Sequence, residues 1–237
     1  MSENPSFSSL AMSPLFGVGL TLGAYVVGVK LQVLCRGHML ANPTMIAMAT
    51  VGLFLTMLGI SHEAYMIGAL PIHILLGPAV VLLAVPLLRQ AALIRSSQIL
   101  IIIAVMVGVA SGLTAGLGIA WLLGASNATL LALAPKSVTA GAAIGVAELL
   151  GSLPSFTTAL VVMTGLVGAV AGPWIAKLSG ARDERAIGLA MGIASHGQGT
   201  ARALRISPVA GAFAGIGMAM GSVVTASLLG CLALFSK

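Results

Sequence analysis

Charged and aromatic residues are scarce in this chain. Of its 237 residues only 7% are Asp, Glu, Lys or Arg and 4% are aromatic, whereas 59% are hydrophobic. A soluble domain carries about 25% charged residues, so this composition excludes an ordinary water-soluble protein. Together with a mean hydropathy of +1.12, it predicts an all-α membrane protein that crosses the bilayer several times and has lipid as its main surroundings.

Groups that could support catalysis are also few. The two cysteines, Cys35 and Cys231, stand far apart at the ends of apolar runs, and we expect reduced thiols. The His, Cys, Asp and Glu residues show no metal-site spacing. There is no phosphate-binding Gly-rich loop and no nucleophile elbow. The sequence therefore predicts no metal, no cofactor and no enzymatic activity.

Basic residues exceed acidic ones, eleven to five, for a net charge of +6. They are spread between apolar runs, which argues against nucleic acid and fits the positive-inside rule. Two candidate crossings separate Lys30 and Arg36 from Arg89 and Arg95, so we place both groups in the cytoplasm and the N-terminus outside. The polar tail 1–13 lacks the basic n-region of a signal peptide. We expect a retained first helix in a bacterial cytoplasmic (inner) membrane.

A helical crossing needs about 20 apolar residues. The candidate runs form a single transmembrane domain, 14–237, after the tail: 14–34, 43–60, 65–88, 97–124, 127–150, 154–178, 183–205 and 207–235. The run 127–150 either crosses the bilayer or re-enters it, and only re-entry returns the next basic group, from Lys177 to Arg185, to the cytoplasm. Seven or eight crossings therefore remain open.

Proline and glycine interrupt several of these runs. The predicted helix breaks or hinges are Asn42, Pro43, Gly77, Pro78, Gly172, Pro173 and Gly197. Pro43 and Pro78 are 35 residues apart (78 − 43), and Pro135 and Pro173 are 38 apart (173 − 135). This spacing predicts an inverted-topology repeat of 14–89 and 97–179, followed by 183–235, with a substrate site between broken helices. A chance alignment of prolines is the alternative.

The segment 134–139 places a proline and a lysine inside an apolar run. A lysine at the centre of a membrane helix costs about 2.5–3.5 kcal/mol. The proline predicts the start of a half-helix with free amides, which would hold a small carboxylate together with the lysine and two hydroxyls. The alternative is a lysine that extends to the lipid headgroups and hydroxyls bonded to carbonyls. The predicted substrate-binding residues here are Pro135, Lys136, Ser137, Val138 and Thr139.

A second polar segment is 188–202, Gly-Leu-Ala-Met-Gly-Ile-Ala-Ser-His-Gly-Gln-Gly-Thr-Ala-Arg. The residues predicted to bind substrate here are Ser195, Gly199, Thr200 and Arg202. Ser195, Gly199 and Arg202 share one helical face. The Arg202 guanidinium predicts a bidentate carboxylate contact, and His196 is a candidate for proton coupling because it titrates near neutrality. The alternatives are a structural histidine and an arginine that marks a cytoplasmic helix end.

These two segments resemble signatures of the LrgB/CidB family. Residues 134–139 match most of a Leu-Pro-Lys-Ser-Val-Thr-Thr-Pro-like motif. Residues 188–202 match Gly-Leu-Ala-Met-Gly-Thr-Ala-Ser-His-X-X-Gly-Thr-Ala-Arg, with Ile193 in place of Thr. The resemblance covers about 15–235. The chain departs from the pattern after Thr139, where Ala140 and Gly141 replace Thr-Pro.

The resemblance implies two hypotheses. The family was first described as holin/antiholin-like modulators of murein hydrolase activity and autolysis. Similar plastid proteins move glycolate and glycerate, and bacterial ones are tied to pyruvate or acetate, usually with a small LrgA/CidA-type membrane partner. We therefore predict a secondary transporter of small monocarboxylates that works by alternating access. The alternative is an antiholin/holin-like regulator of murein hydrolase. The carboxylate, the coupling ion, a homo-oligomer and the need for a partner stay open.

Overall fold

The structure, a computed structural model, describes residues 9–36, 41–82 and 84–235, and every regular element in these ranges is helical. This confirms the all-α class. A 3-10 turn, Ala134–Ser137, lies between the eighth and ninth α-helices. The α-helices are α1 (Pro14–Leu34), α2 (Pro43–Leu58), α3 (His62–Gly68), α4 (Leu70–Leu82), α5 (Ala84–Arg89), α6 (Ala91–Ser96), α7 (Gln98–Leu122), α8 (Asn127–Leu133), α9 (Ala140–Leu149), α10 (Pro154–Leu178), α11 (Glu184–Leu204) and α12 (Pro208–Phe235).

Five helical stretches in the described part of the chain are long and apolar enough to cross a membrane. They are Pro14–Leu34, Leu70–Arg89, Gln98–Leu122, Pro154–Leu178 and Pro208–Phe235. A sixth is added if α2 and α3, bent by 120° against each other, count as one span. The seven or eight crossings and the inverted repeat therefore stay predictions. The predicted run 127–150 appears as two short helices, α8 and α9, with a break between them.

The chain divides into two compact units, Met1–Leu82 and Leu83–Lys237, and the single domain 14–237 stays a prediction. Close backbone contacts at glycines hold the first unit together. A Cβ on Gly28 would lie 2.6 Å from the Pro43 carbonyl oxygen, and one on Gly17 would overlap the Gly68 backbone. Asn42 caps α2 by accepting the Thr44 amide at 2.9 Å, with Pro43 in the first turn. The predicted break at this pair is therefore a capped helix start.

The second unit is built around α11 and α12. A Cβ on Gly188 or Gly192 would overlap the carbonyls of Ala210 and Ala214, so the two backbones touch directly. Such small-residue contacts let helices approach closely in lipid, where no hydrophobic effect drives association. The residues of α12 from 210 to 218 are all buried. A face of α7, from Ile101 to Leu113, packs into the same apolar cluster.

Two of the predicted breaks are wrong. Gly77 and Pro78 lie inside α4, and Gly172 and Pro173 lie inside α10, and both helices continue through the proline. Proline already has a helical φ, and membrane helices tolerate the lost hydrogen bond when neighbouring groups satisfy the freed carbonyl. A hinge motion at these residues stays a prediction.

Candidate functional site

Two helix breaks in the second unit lie close to the predicted site residues. One of them lies between α8 and α9. The 3-10 turn Ala134–Ser137 extends α8, Val138 is extended with φ −113° and ψ 169°, and α9 begins at Ala140. The predicted half-helix starting at Pro135 is therefore wrong. Pro135 has a ψ of 17°, outside helical geometry, and its carbonyl accepts the Val138 amide at 3.2 Å. The free amides belong to the start of α9, with Thr139 as N-cap.

Lys136 is a half-buried cation beside this break. Its Nζ donates to Ser137 Oγ at 3.2 Å, and its Cε lies against Gly116 of α7, where a Cβ would overlap it. Within the described ranges no carboxylate lies within 4.0 Å of this ammonium, and Glu148, near the end of α9, is exposed. Among the described residues, the Lys136 ammonium therefore has the neutral Ser137 hydroxyl as its partner and no carboxylate.

The second break lies at His196. This residue has φ 40° and ψ −124° in the middle of α11, a sparsely populated conformation that costs a non-glycine residue about 1–3 kcal/mol. Gly199 packs against the Met191 carbonyl, although residues eight apart in a straight helix are separated by about 12 Å. The chain therefore turns sharply at His196, one residue before the break predicted at Gly197.

A single hydrogen bond joins the two breaks. His196 Nε2 lies 3.0 Å from the Lys136 carbonyl oxygen. A carbonyl can only accept, so Nε2 carries the proton and Nδ1 is the free acceptor nitrogen. Thr200 Oγ1 donates to the His196 carbonyl at 2.8 Å, which supports the unusual turn from the other side. The two segments singled out in the sequence thus meet through the His196 side chain and the Lys136 backbone.

A cavity of about 1170 Å³ opens beside this junction, between α7, α10 and α11. Its lining includes Ser97, the N-cap residue of α7, and Ala115 within α7, which are about 27 Å apart along the helix axis. The cavity therefore runs along most of a length comparable to the roughly 30 Å hydrocarbon core. Its walls are mainly apolar, and the polar groups near the breaks are those of Lys136, Ser137 and Ser195.

Two charged residues lie at the other end of the cavity. Arg185 pairs with Asp183 at 2.7 Å and reaches Ser97 Oγ at 3.4 Å. Asp183 also caps α11 by accepting the Arg185 amide at 2.9 Å. The hydrogen bonds from Arg185 hold the pKa of the Asp183 carboxyl below its usual value. This end is thus neutralised internally, in contrast to the Lys136 end.

The structure brings only part of the predicted site together. Lys136, Ser137 and Ser195 line one cavity, whereas Arg202 lies in the last turn of α11 and is absent from the lining. The remaining predicted residues have packing, hydrogen-bonding or capping roles in the helices around the cavity. Pro135 and Val138 are buried, the Thr200 hydroxyl is bonded within α11, Gly199 allows the turn, and Thr139 is a helix cap.

Three residues that the sequence did not single out shape the site. Gly116 makes room for the Lys136 side chain, and Gly168 of α10 makes room for the Ser195 hydroxyl, which its Cβ would overlap. Arg185 closes the distant end. The four-residue spacing of Gly108, Gly112 and Gly116 is visible in the sequence, but it indicates only close helix packing.

The structure has several helices long enough to cross a membrane, and the half-buried lysine Lys136 lies beside the helix breaks. These features define a multi-pass helical membrane protein with a polar site in its interior. The sequence model of the LrgB-like family matches residues 21–235, and the chain belongs to this family. It is 33% identical over 210 residues to the holin-like protein CidB of Staphylococcus epidermidis, covering 89% of this chain and 91% of the relative.

Two further relatives show similar coverage. The chain is 36% identical to YxaC of Bacillus subtilis over 209 residues, 86% of this chain and 89% of the relative. It is 32% identical to the holin-like protein CidB of Staphylococcus aureus over 188 residues, 79% of this chain and 82% of the relative. No solved structure matches the chain.

Proposed function

We propose that this protein binds small monocarboxylates at Lys136 and carries them across a bacterial inner membrane, without enzymatic chemistry. The observation that supports this function is an ammonium group in a membrane cavity with no counter-charge in the described part of the chain. Such a charge is costly in lipid, and a bound carboxylate would supply the missing partner through a charge-assisted hydrogen bond. The apolar cavity wall suits the short alkyl part of the substrate.

The two helix breaks suggest how access could alternate. Broken helices next to a central site are the arrangement around which many transporters rock or gate. Here a hydrogen bond from His196 to the Lys136 backbone links the breaks, so a small shift of either half-helix would move the site. A proton taken up by His196 at Nδ1 would add a second positive charge beside Lys136, which keeps His196 a candidate for proton coupling.

Flux of labelled pyruvate, lactate or glycolate into proteoliposomes tests the proposal. We expect Lys136→Met to lower flux by at least tenfold, because a charge-assisted bond contributes about 1.5–3 kcal/mol. Lys177→Met is the matched control, since Lys177 is exposed at the end of α10, and should transport normally. Normal flux through Lys136→Met would refute the assignment. Arg202→Ala separately tests the predicted second contact, for which the cavity gives no support.

A holin-like role is the second candidate, and the comparisons favour it over transport. Two of the three relatives named above are called holin-like proteins, and none is named a transporter. In this reading the protein regulates murein hydrolase and autolysis, alone as a homo-oligomer or with a small LrgA/CidA-type partner. Release of an uncharged dye from liposomes separates the two. A holin-like pore should release the dye, and the Lys136→Met variant should release it equally. A carrier should retain the dye, and its carboxylate flux should saturate as the carboxylate concentration rises.

A further inference from the structure

We propose a second site in this protein: a binding site for a monovalent alkali cation, with Na⁺ as the expected ion, at the break in α11. Its ligands are oxygens of Ser195 and Gln198, and its floor is the glycine surface of α10 at Gly165 and Gly168. This site goes beyond carboxylate binding and does not require it.

Two buried oxygens without partners mark the site. Ser195 Oγ and Gln198 Oε1 are shielded from solvent and have no hydrogen-bond partner, and the Ser195 residue is only 1% exposed. Other hydroxyls of the same cavity are bonded to their own helix: Ser111 donates to the Gly108 carbonyl and Thr164 to the Leu160 carbonyl. Ser195 lines the cavity, and its Oγ makes no such bond, so the oxygen lone pairs are free to coordinate a cation.

The helix break adds backbone charge at the same place. His196 ends the first half of α11, and the carbonyl end of a helix carries a partial negative charge. Half-helix ends of this kind coordinate Na⁺ in transporters with broken helices. The Ser195 carbonyl oxygen and the Gln198 Cδ lie 3.4 and 3.2 Å from the point where a Gly165 Cβ would be. The Gln198 carboxamide group, whose Nε2 is also 3.4 Å from this point, and the Ser195 carbonyl therefore face Gly165, whereas Ser195 Oγ faces Gly168, about one turn further along α10.

The glycines of α10 leave the space that these groups need. A side chain at Gly168 would overlap Ser195 Oγ, and one at Gly165 would press on the Gln198 carboxamide. The Gln198 amide nitrogen donates to the Val162 carbonyl at 3.5 Å. This bond turns the carboxamide oxygen away from the carbonyl and leaves it as a pure acceptor.

The chemistry of the ligands selects the class of ion. They are neutral hydroxyl, amide and carbonyl oxygens, and the described residues contain no group of three His, Cys, Asp or Glu that could hold a metal ion. Neutral oxygens suit a hard monovalent cation and bind transition metals poorly. Lys136 lines the same cavity, so the cation and the ammonium repel each other unless an anion lies between them. Cation and carboxylate should then bind cooperatively; this last step rests on the proposed function.

Thermal unfolding of the purified full-length protein tests the site without any carboxylate. NaCl is titrated against choline chloride at constant ionic strength. At ten times the dissociation constant we expect the melting temperature to rise by about 3 °C or more. Ser195→Ala and Gln198→Leu should abolish the rise. Ser179→Ala and Gln98→Leu, two exposed residues outside the cavity, should keep it.

A variant that strengthens the site guards against variants that fail to fold. Gln198→Glu supplies a charged oxygen and should lower the Na⁺ concentration needed for half of the shift by about tenfold. Equal melting temperatures in NaCl and choline chloride for the unmodified protein would overturn the proposal. So would an unchanged Na⁺ response in both Ser195→Ala and Gln198→Glu. A Na⁺ shift that persists while pyruvate neither binds nor crosses would refute carboxylate transport alone.

Discussion

The two units of this chain are built from similar apolar helices but treat their polar groups differently. In the described part of the first unit, the Thr21 hydroxyl is fully hydrogen-bonded within the protein. It lies 2.6 Å from the Gly17 carbonyl and 2.7 Å from the Tyr65 hydroxyl. The second unit departs from this pattern. The buried side-chain oxygens without partners that the described residues contain all belong to it: Ser195 Oγ, Gln198 Oε1, Ser222 Oγ and Thr225 Oγ1.

This difference supports our proposal that the ligand sites lie in the second unit. A buried polar group without a partner costs about 1–3 kcal/mol, and an unpaired charge costs more. No buried side-chain oxygen in the described part of the first unit lacks a hydrogen-bond partner. In the described part of the second unit, Lys136 lacks a counter-charge and Ser195 Oγ lacks a hydrogen-bond partner, and both residues line one cavity. Groups that destabilise the fold and face a cavity are expected where a ligand completes them.

The largest effect should come from close packing, which both units share. Gly192→Val places a side chain on the Ala214 carbonyl, and Gly17→Val places one on the Gly68 backbone. Neither backbone can move aside. We therefore expect the free energy of unfolding to fall by more than about 3 kcal/mol in both variants, with loss of folded protein. Size-exclusion profiles and thermal unfolding measure this, with Gly52→Val, which has open space around it, as control. If Gly192→Val folds like Gly52→Val, the backbone contact is not as described.

Lys136→Met should separate stability from function. Removing an unpaired cation from the membrane interior lowers its desolvation cost, so the free energy of unfolding should rise by about 1–3 kcal/mol. Flux should meanwhile fall at least tenfold. Thr21→Val in the first unit removes a bonded hydroxyl instead, and should lower stability by about 1 kcal/mol without changing flux. Denaturant unfolding and flux of both variants decide the comparison; a loss of stability in Lys136→Met would show that the ammonium is already satisfied.

Helix positions could be predicted from the sequence because hydropathy and capping residues are local. The bounds of α1 and α10 match the predicted runs residue for residue. The effect of each proline on its helix could not be predicted from the local sequence. Pro78 and Pro173 lie inside continuous helices, whereas Pro135 ends one. The same residue type kinks, breaks or is tolerated according to what neighbouring helices offer the freed backbone groups.

The site could be predicted only in its composition. Lys136 and His196 carry chemistry that is rare in a membrane segment, so the sequence identifies both. Their junction uses the Lys136 carbonyl rather than its side chain, and no spacing rule predicts such a bond. The positive φ of His196 could not be predicted from the sequence either, because glycine is the residue expected in that conformation. The cavity depends on Gly116 and Gly168 facing particular side chains, which requires the packed structure.

Gly116→Ala should weaken substrate binding without removing any polar group. The added Cβ overlaps Lys136 Cε, and the flexible side chain must shift its ammonium within the cavity. We expect the KM for the transported carboxylate to rise several-fold, with little loss of stability since alanine favours the helix. Gly118→Ala, on the same helix with open space around it, should leave the KM unchanged. Equal kinetics for both variants would mean that the position of the ammonium is unimportant.

The smallest effect concerns backbone strain, which occurs once in each unit. Arg36 has φ 51° and His196 has φ 40°, the positive-φ residues other than glycine in the described ranges. At both positions glycine should be more stable than alanine by about 1 kcal/mol, because it adopts this conformation without a steric penalty. Denaturant unfolding of the four variants measures the difference.

The functional outcome should distinguish the two strained residues. Both His196 variants lose the hydrogen bond to the Lys136 carbonyl, so we expect reduced flux whether or not the strain is relieved. The Arg36 variants should transport normally, because this residue follows α1 and does not line the cavity. Normal flux through His196→Gly would show that the junction between the two breaks is not needed for transport, and would leave the strain at His196 as a feature of packing alone.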